Sequence, residues 1–129
     1  MGLTAACAPA VPNARALHYV EGELVYSRPP PPQAYEAYMH ARLALDADPP
    51  QPEVALEYLQ IALRADSKDP HLWATRAEAE AMVGDVDGAR ASANKALAIA
   101  PGYPKAQRVL ASLEGGARVA SVPTADDNQ

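Results

Sequence analysis

Of the 129 residues, 29 are alanine and none is phenylalanine, and this use of small apolar side chains decides what the chain can build. A methyl group buries little area, so an alanine-rich core closes only where two backbones approach each other, as at the crossing of two α-helices. Alanine is also the strongest helix former. Aromatic residues make up 5% of the chain, too few for the half-buried faces of a β-sandwich or barrel. The length bounds the chain to one modest domain. Thirteen prolines would be costly inside helices, yet most fall between apolar-periodic runs. They occur in the clusters Pro29 to Pro32 and Pro49, Pro50 and Pro52, and singly at Pro70, Pro101 and Pro104. Placed so, they read as helix boundaries.

Between these boundaries the apolar spacing predicts six helical runs. The first starts at a cap on Asn13 and carries Ala16, Tyr19, Val20, Leu24 and Tyr26 to Pro29. Ala34, Tyr38, Ala41 and Leu45 form the second, and Ala55, Leu56, Leu59, Ala62 and Leu63 the third. Asp69 before Pro70 is a cap followed by proline at the first helical position, opening the fourth run through Trp73, Ala77, Glu80 and Ala81 to Gly84. Asp85 caps the fifth, with Ala89, Ala93, Ala96 and Leu97 facing inward. Pro104 opens the sixth, through Ala106, Leu110, Ala111 and Leu113. The pair Gly115-Gly116 is expected to end it, because glycine takes the left-handed C′ conformation without steric cost. Runs of this length joined by short turns make antiparallel helix hairpins. The four tyrosines around the tetraproline, Tyr19, Tyr26, Tyr35 and Tyr38, are expected to pack internally against it.

The hairpins repeat. Ala55, Leu59, Ala62 and Leu63 recur as Ala89, Ala93, Ala96 and Leu97 at an offset of 34 residues. At this period the segment Pro70 to Tyr103 resembles the tetratricopeptide repeat. Trp73 matches its large early residue, Ala77 its small helix contact and Gly84 its turn glycine, followed by Ala89, Ala96, Leu97 and Pro101. It departs from the family at Arg76, normally leucine, and at Ala93, normally aromatic. A weaker copy precedes it, with Tyr38, Ala41, Arg42 and Leu45 on its first helix and one residue inserted in its proline-rich turn. A competing frame pairs the first two helical runs with each other; the 34-residue frame is preferred. The resemblance implies an all-α fold of about six helices: antiparallel hairpins stacked as a short, right-handed solenoid. The expected division is a tail over 1–12, an N-terminal capping helix and proline-rich turn over 13–33, helical repeats with a C-terminal capping helix over 34–114, and a disordered tail over 115–129.

Catalytic groupings are missing from the pattern. His18, His40 and His71 fall on separate runs without metal-ligand spacing, Gly84 to Gly88 lacks the ligand series of a calcium loop, and neither a nucleophile elbow nor a phosphate loop occurs. We therefore expect no catalytic residues, no metal and no cofactor. The resemblance instead implies a groove along successive first helices that binds a protein partner, as a peptide or helix. Its positions would be Met39 and Leu43, with Glu36, from the weaker copy. His71, Ala74, Glu78 and Met82, with Ala81, would come from the stronger copy, and Lys105 and Arg108, with Ser112, from the capping helix. Met39 and Met82 suit adaptable contacts, although methionine at helical spacing equally suits a core. Lys105 and Arg108 stand where some relatives clamp a terminal carboxylate, but the asparagines of that clamp are absent, which favours a solvated cationic face. Trp73, by the same pattern, packs between its own helices.

The formal net charge of −5 and the absence of a basic run argue against nucleic acid as partner. The lone Cys7 cannot form an intrachain disulfide. Leu3-Thr4-Ala5-Ala6-Cys7 resembles the lipobox of bacterial lipoproteins, departing from it at Thr4, and would make Cys7 the lipidated residue and the only membrane contact. A basic leader is missing, so this reading places Met1 inside a longer signal peptide. The function expected is a non-enzymatic scaffold, an accessory or assembly factor of a bacterial envelope complex lipid-anchored at Cys7, with a soluble cytoplasmic adaptor or regulatory subunit as the alternative. A short groove also allows pairing of two copies to extend the solenoid.

Overall fold

The computed structural model describes residues 16–20, 23–27 and 29–120, with side chains over 29–116. Five helices follow one another: α1 (Pro32–Leu45), α2 (Pro52–Ala65), α3 (Pro70–Met82), α4 (Val86–Ile99) and α5 (Pro104–Ala120). Four of them begin on a proline, whose fixed φ suits a first helical residue and whose missing N–H would have had no partner there. The remaining helix, α4, is started by the Asp85 carboxylate, which accepts from the Gly88 N–H, as Asp69 accepts from the His71 N–H at the start of α3. Between them Gly84, at φ +83°, makes the left-handed turn that lets α4 fold back on α3.

The five helices form one compact unit in which α1 pairs with α2 and α3 with α4, while α5 closes on α3 and α4. This is the pairing of the 34-residue frame. Ala55 and Ala89, Leu59 and Ala93, and Ala62 and Ala96 all have no exposed surface. One cluster joins α1 and α2 through Ala37, Ala41, Ala55, Leu59 and Ala62 to Leu72 and Ala79 of α3. A second joins Ala74 and Ala77 of α3 to Ala93 and Ala96 of α4 and to Ala106 and Val109 of α5. Trp73 packs against both, and its indole N–H donates to the Ser67 carbonyl at 2.9 Å. The helical-hairpin repeat expected from the sequence is the fold of this unit.

Three details differ from the sequence reading. The stretch expected as a capping helix within 13–33 is a β-hairpin, β1 (Ala16–Val20) antiparallel to β2 (Glu23–Ser27), with Leu17 paired to Tyr26 and Tyr19 to Leu24. Two five-residue stretches rich in β-branched and aromatic residues, separated by Glu21-Gly22, imitate helical spacing only when read as one run. The last helix also passes through Gly115 and Gly116 to Ala120, so the tail does not start at residue 115. Nothing crowds either glycine, and the cost of about 1 kcal/mol for each, relative to alanine, is too small to stop a helix already packed over its first three turns. Within the first repeat, fully buried Ala41, not half-exposed Arg42, stands at the helix crossing, because that place admits no long side chain. The inserted turn residues therefore number two rather than one.

Glu80 is only 5% exposed, yet fully partnered. Its carboxylate accepts from the Arg76 guanidinium at 2.7 Å and from the Ser92 hydroxyl at 2.6 Å, tying α3 to α4. The departure of Arg76 from the leucine of the family thus accompanies a buried acid that needs a cation.

Enlarging a fully buried crossing residue should be felt directly. Ala96→Leu is expected to lower unfolding stability by about 1–3 kcal/mol, measured by urea or thermal melts followed by circular dichroism.

Candidate peptide-binding face

The alternate helices α1, α3 and α5 each contribute to one polar face, and two cross-links run along it. At one end the His71 imidazole lies between two phenols, with Nε2 2.7 Å from the Tyr38 hydroxyl and Nδ1 2.7 Å from the Tyr103 hydroxyl. Both tyrosine rings meet the imidazole edge-on. A neutral imidazole has one donor and one acceptor nitrogen, so one phenol accepts while the other donates, and the three groups form a directed chain. Farther along, the Glu78 carboxylate accepts from Arg42 of α1 at 3.4 Å and from Lys105 of α5 at 2.7 Å, while Arg42 also pairs with Asp46 at 2.6 Å. The Lys105 ammonium donates further to the Thr75 hydroxyl at 3.1 Å, and Thr75 donates to the His71 carbonyl.

Burial first, and the Lys105 ammonium second, holds the His71 imidazole below its ordinary pKa of 6.5, outweighing the opposite pull of Asp69 and Glu78. Burial likewise raises the Tyr38 and Tyr103 phenols above 10.0. The chain of rings is therefore uncharged at neutral pH, beside a charged Arg42–Glu78–Lys105 bridge.

Lys105, Arg108, Val109 and Ser112 of α5 enclose with Glu78 a groove of about 230 Å³. Of the residues expected to bind a partner, Glu78, Lys105 and Arg108 meet there, and Ser112 joins them. One helical turn beyond Glu78, Met82 is 45% exposed, and on α1 Met39 and Leu43 are 41% and 66% exposed. All three methionine and leucine positions are thus available to a partner. His71 is on the face but is engaged by the two tyrosines. Ala74 is not available: it is fully buried against Ala106 and Val109, since α5 packs directly over it. Glu36 belongs to a different groove, with His40, Tyr58 and Ile61. Trp73, expected between its own helices, is part-buried and packs against both core clusters, with Lys95 and Arg76 5.7 and 5.9 Å from its ring centre. Cys7 and the lipobox-like residues lie outside the described residues.

The sequence reading missed Tyr38, Arg42, Thr75 and Tyr103 as parts of this face. The only trace in the sequence is a near-period spacing, 33 and 32 residues, between Tyr38, His71 and Tyr103; Tyr38 lies in mid-helix, whereas His71 and Tyr103 lie at helix starts. Among the described residues, no group of His, Cys, Asp and Glu could hold a metal ion, and no helix is long and apolar enough to cross a membrane.

Residues 70–113, which span α3, α4 and the start of α5, match the family model described as tetratricopeptide repeat. No curated protein matches the chain. The segment is a tetratricopeptide repeat, and repeats of this family serve as protein-interaction scaffolds.

His71 gives stability a pH dependence of known sign. As pH falls below 6.5 the unfolded chain binds a proton that the folded chain resists, so the stabilisation is whole above 6.5 and is lost as pH falls through the lower folded value. In urea melts between pH 7.5 and 5, His71→Gln should be less stable than the parent at pH 7.5, with the gap narrowing steadily toward pH 5.

Proposed function

We propose that the chain uses its tetratricopeptide repeat as a non-enzymatic adaptor, taking a short partner segment along the face shared by α1, α3 and α5. The observation that carries this reading is the coexistence, on that face, of exposed Met39, Leu43 and Met82 with a bridged row of charges. Apolar side chains left in water on a rigid helical framework give affinity without reorganisation. Because Glu78 is already shared by Arg42 and Lys105, Arg108 supplies the less compensated cation of the groove. The segment that fits carries apolar side chains and at least one carboxylate.

The adaptor works in a bacterial envelope assembly, held to the membrane by lipid on Cys7. Support for this address comes from Leu3-Thr4-Ala5-Ala6-Cys7, where small residues precede the chain's single cysteine. The mass of the N-terminal peptide from membrane and soluble fractions of the source cell tests it. A diacyl- or triacyl-modified Cys7 in the membrane fraction is the expected result, and an unmodified Met1 or Gly2 terminus in the soluble fraction would assign the adaptor to the cytoplasm.

Photo-crosslinking amino acids at Met82 and Arg108 should capture the same partner, whereas equivalents at exposed Glu57 and Arg90 of the second helices should not. Arg108→Glu is expected to weaken that partner by about tenfold, in keeping with reversal of a charge at an interface rim. Equal capture from both sets of positions would remove this face as the binding surface.

A further inference from the structure

A second groove, of about 270 Å³, opens between α1 and α2, lined by Gln33, Glu36, Ala37, His40, Tyr58 and Ile61. Its walls are mainly apolar. The His40 ring stacks on the Tyr58 ring, centroids 4.9 Å apart at 20°, and Ile61 is 49% exposed beside them.

The second repeat explains why this place is hollow. The second helices correspond at 34 residues, so Ile61 corresponds to Lys95. The first helices correspond through their fully buried crossing residues, Ala41 and Ala77, so that Ala37, four residues before one, stands where Trp73 stands before the other. By the same step His40 corresponds to Arg76. In the second repeat, Arg76 and Lys95 flank the Trp73 ring at 5.9 and 5.7 Å; in the first, Ala37, His40 and Ile61 line one opening. The same positions border the opening, with the indole absent and the flanking side chains changed: His40 stands where Arg76 stands, Ile61 where Lys95 stands, and Tyr58 where Ser92 stands. An indole buries some 150–250 Å², and a methyl group in its place leaves apolar walls facing water.

We propose that this groove receives an aromatic side chain, tryptophan above all, from a segment of a partner protein. The stacked His40 and Tyr58 rings give an aromatic wall for it to pack on. Gln33 and Glu36 bring acceptors to the rim for the indole N–H, the part that the Ser67 carbonyl plays for Trp73. The Glu36 carboxylate also favours a lysine or arginine next to the inserted ring. None of the residues lining the α3–α5 groove takes part, so this site stands or falls apart from the adaptor reading above.

Indole itself is the first probe, titrated into the full chain labelled with ¹⁵N. Saturable amide shifts are expected at Ala37, His40 and Ile61, and they should vanish in Ala37→Trp, which fills the groove with the side chain of the second repeat and retains the helical circular dichroism of the parent. Should Ala37→Trp fail to fold, Ile61→Lys provides an exposed substitution that copies Lys95 and should tighten indole by about two- to fivefold through a cation over the ring. The peptide acetyl-Lys-Trp-Lys-amide should shift the same amides at lower concentration than acetyl-Lys-Ala-Lys-amide. Indole shifts scattered over the surface, or unchanged in both variants, would overturn the proposal. So would groove shifts that appear on concentrating the protein alone, which would assign the groove to a second copy, with the 57%-exposed Tyr35 as the inserted ring.

Discussion

Everything in this molecule depends on how closely its helices cross. Ala41, Ala55, Ala62, Ala77, Ala89, Ala93 and Ala96 have no exposed surface, and each contributes only a methyl group, so the stabilisation comes from backbones brought near enough for many weak contacts to accumulate. Such crossings are intolerant of growth and allow little slippage. The loops between the helices add contacts of their own, the Ser67 carbonyl to Trp73 and the Tyr103 hydroxyl to His71.

Close crossing of small residues gives each hairpin its shape but does little to align one hairpin with the next. Alignment is assisted by polar links between first helices: the Tyr38–His71–Tyr103 chain and the Arg42–Glu78–Lys105 bridge. The ion pairs are partly exposed and individually weak, whereas the ring chain is half-buried and uncharged. Their value is directional, since each specifies which residue of one repeat faces which residue of the next. The same groups border the groove between Glu78 and α5.

Much of this was legible in the sequence, because proline boundaries, capping aspartates at 69 and 85 and the alanine period are local or strictly periodic signals. The burial of Ala55, Ala89 and their counterparts followed from spacing alone. What was illegible depended on context. The β-hairpin over Ala16–Ser27 failed as a helix because five-residue strands cannot be told from helical spacing without the turn between them. The run through Gly115 and Gly116 failed because glycine ends a helix only when the chain has reason to turn. Of the groove positions expected from the repeat, Glu78, Lys105 and Arg108 meet in one groove, and Ala74 is covered outright because a methyl side chain lies under α5. The ring chain around His71 lay in sight as a near-repeat spacing, but hydrogen bonds between side chains more than 30 residues apart have no local trace.

Trp73 is the single tryptophan of the chain and packs against both core clusters. In a stack of repeats the energy holding neighbours together determines whether they melt as one body or in sequence. Here the indole lies at the seam, beside Leu72 and Ala79 of α3, which are buried in the first cluster. Loosening either hairpin strips the ring of half its surroundings, so loss of one repeat weakens the other at once. The indole thus couples the two hairpins, and its fluorescence reports on the seam between them.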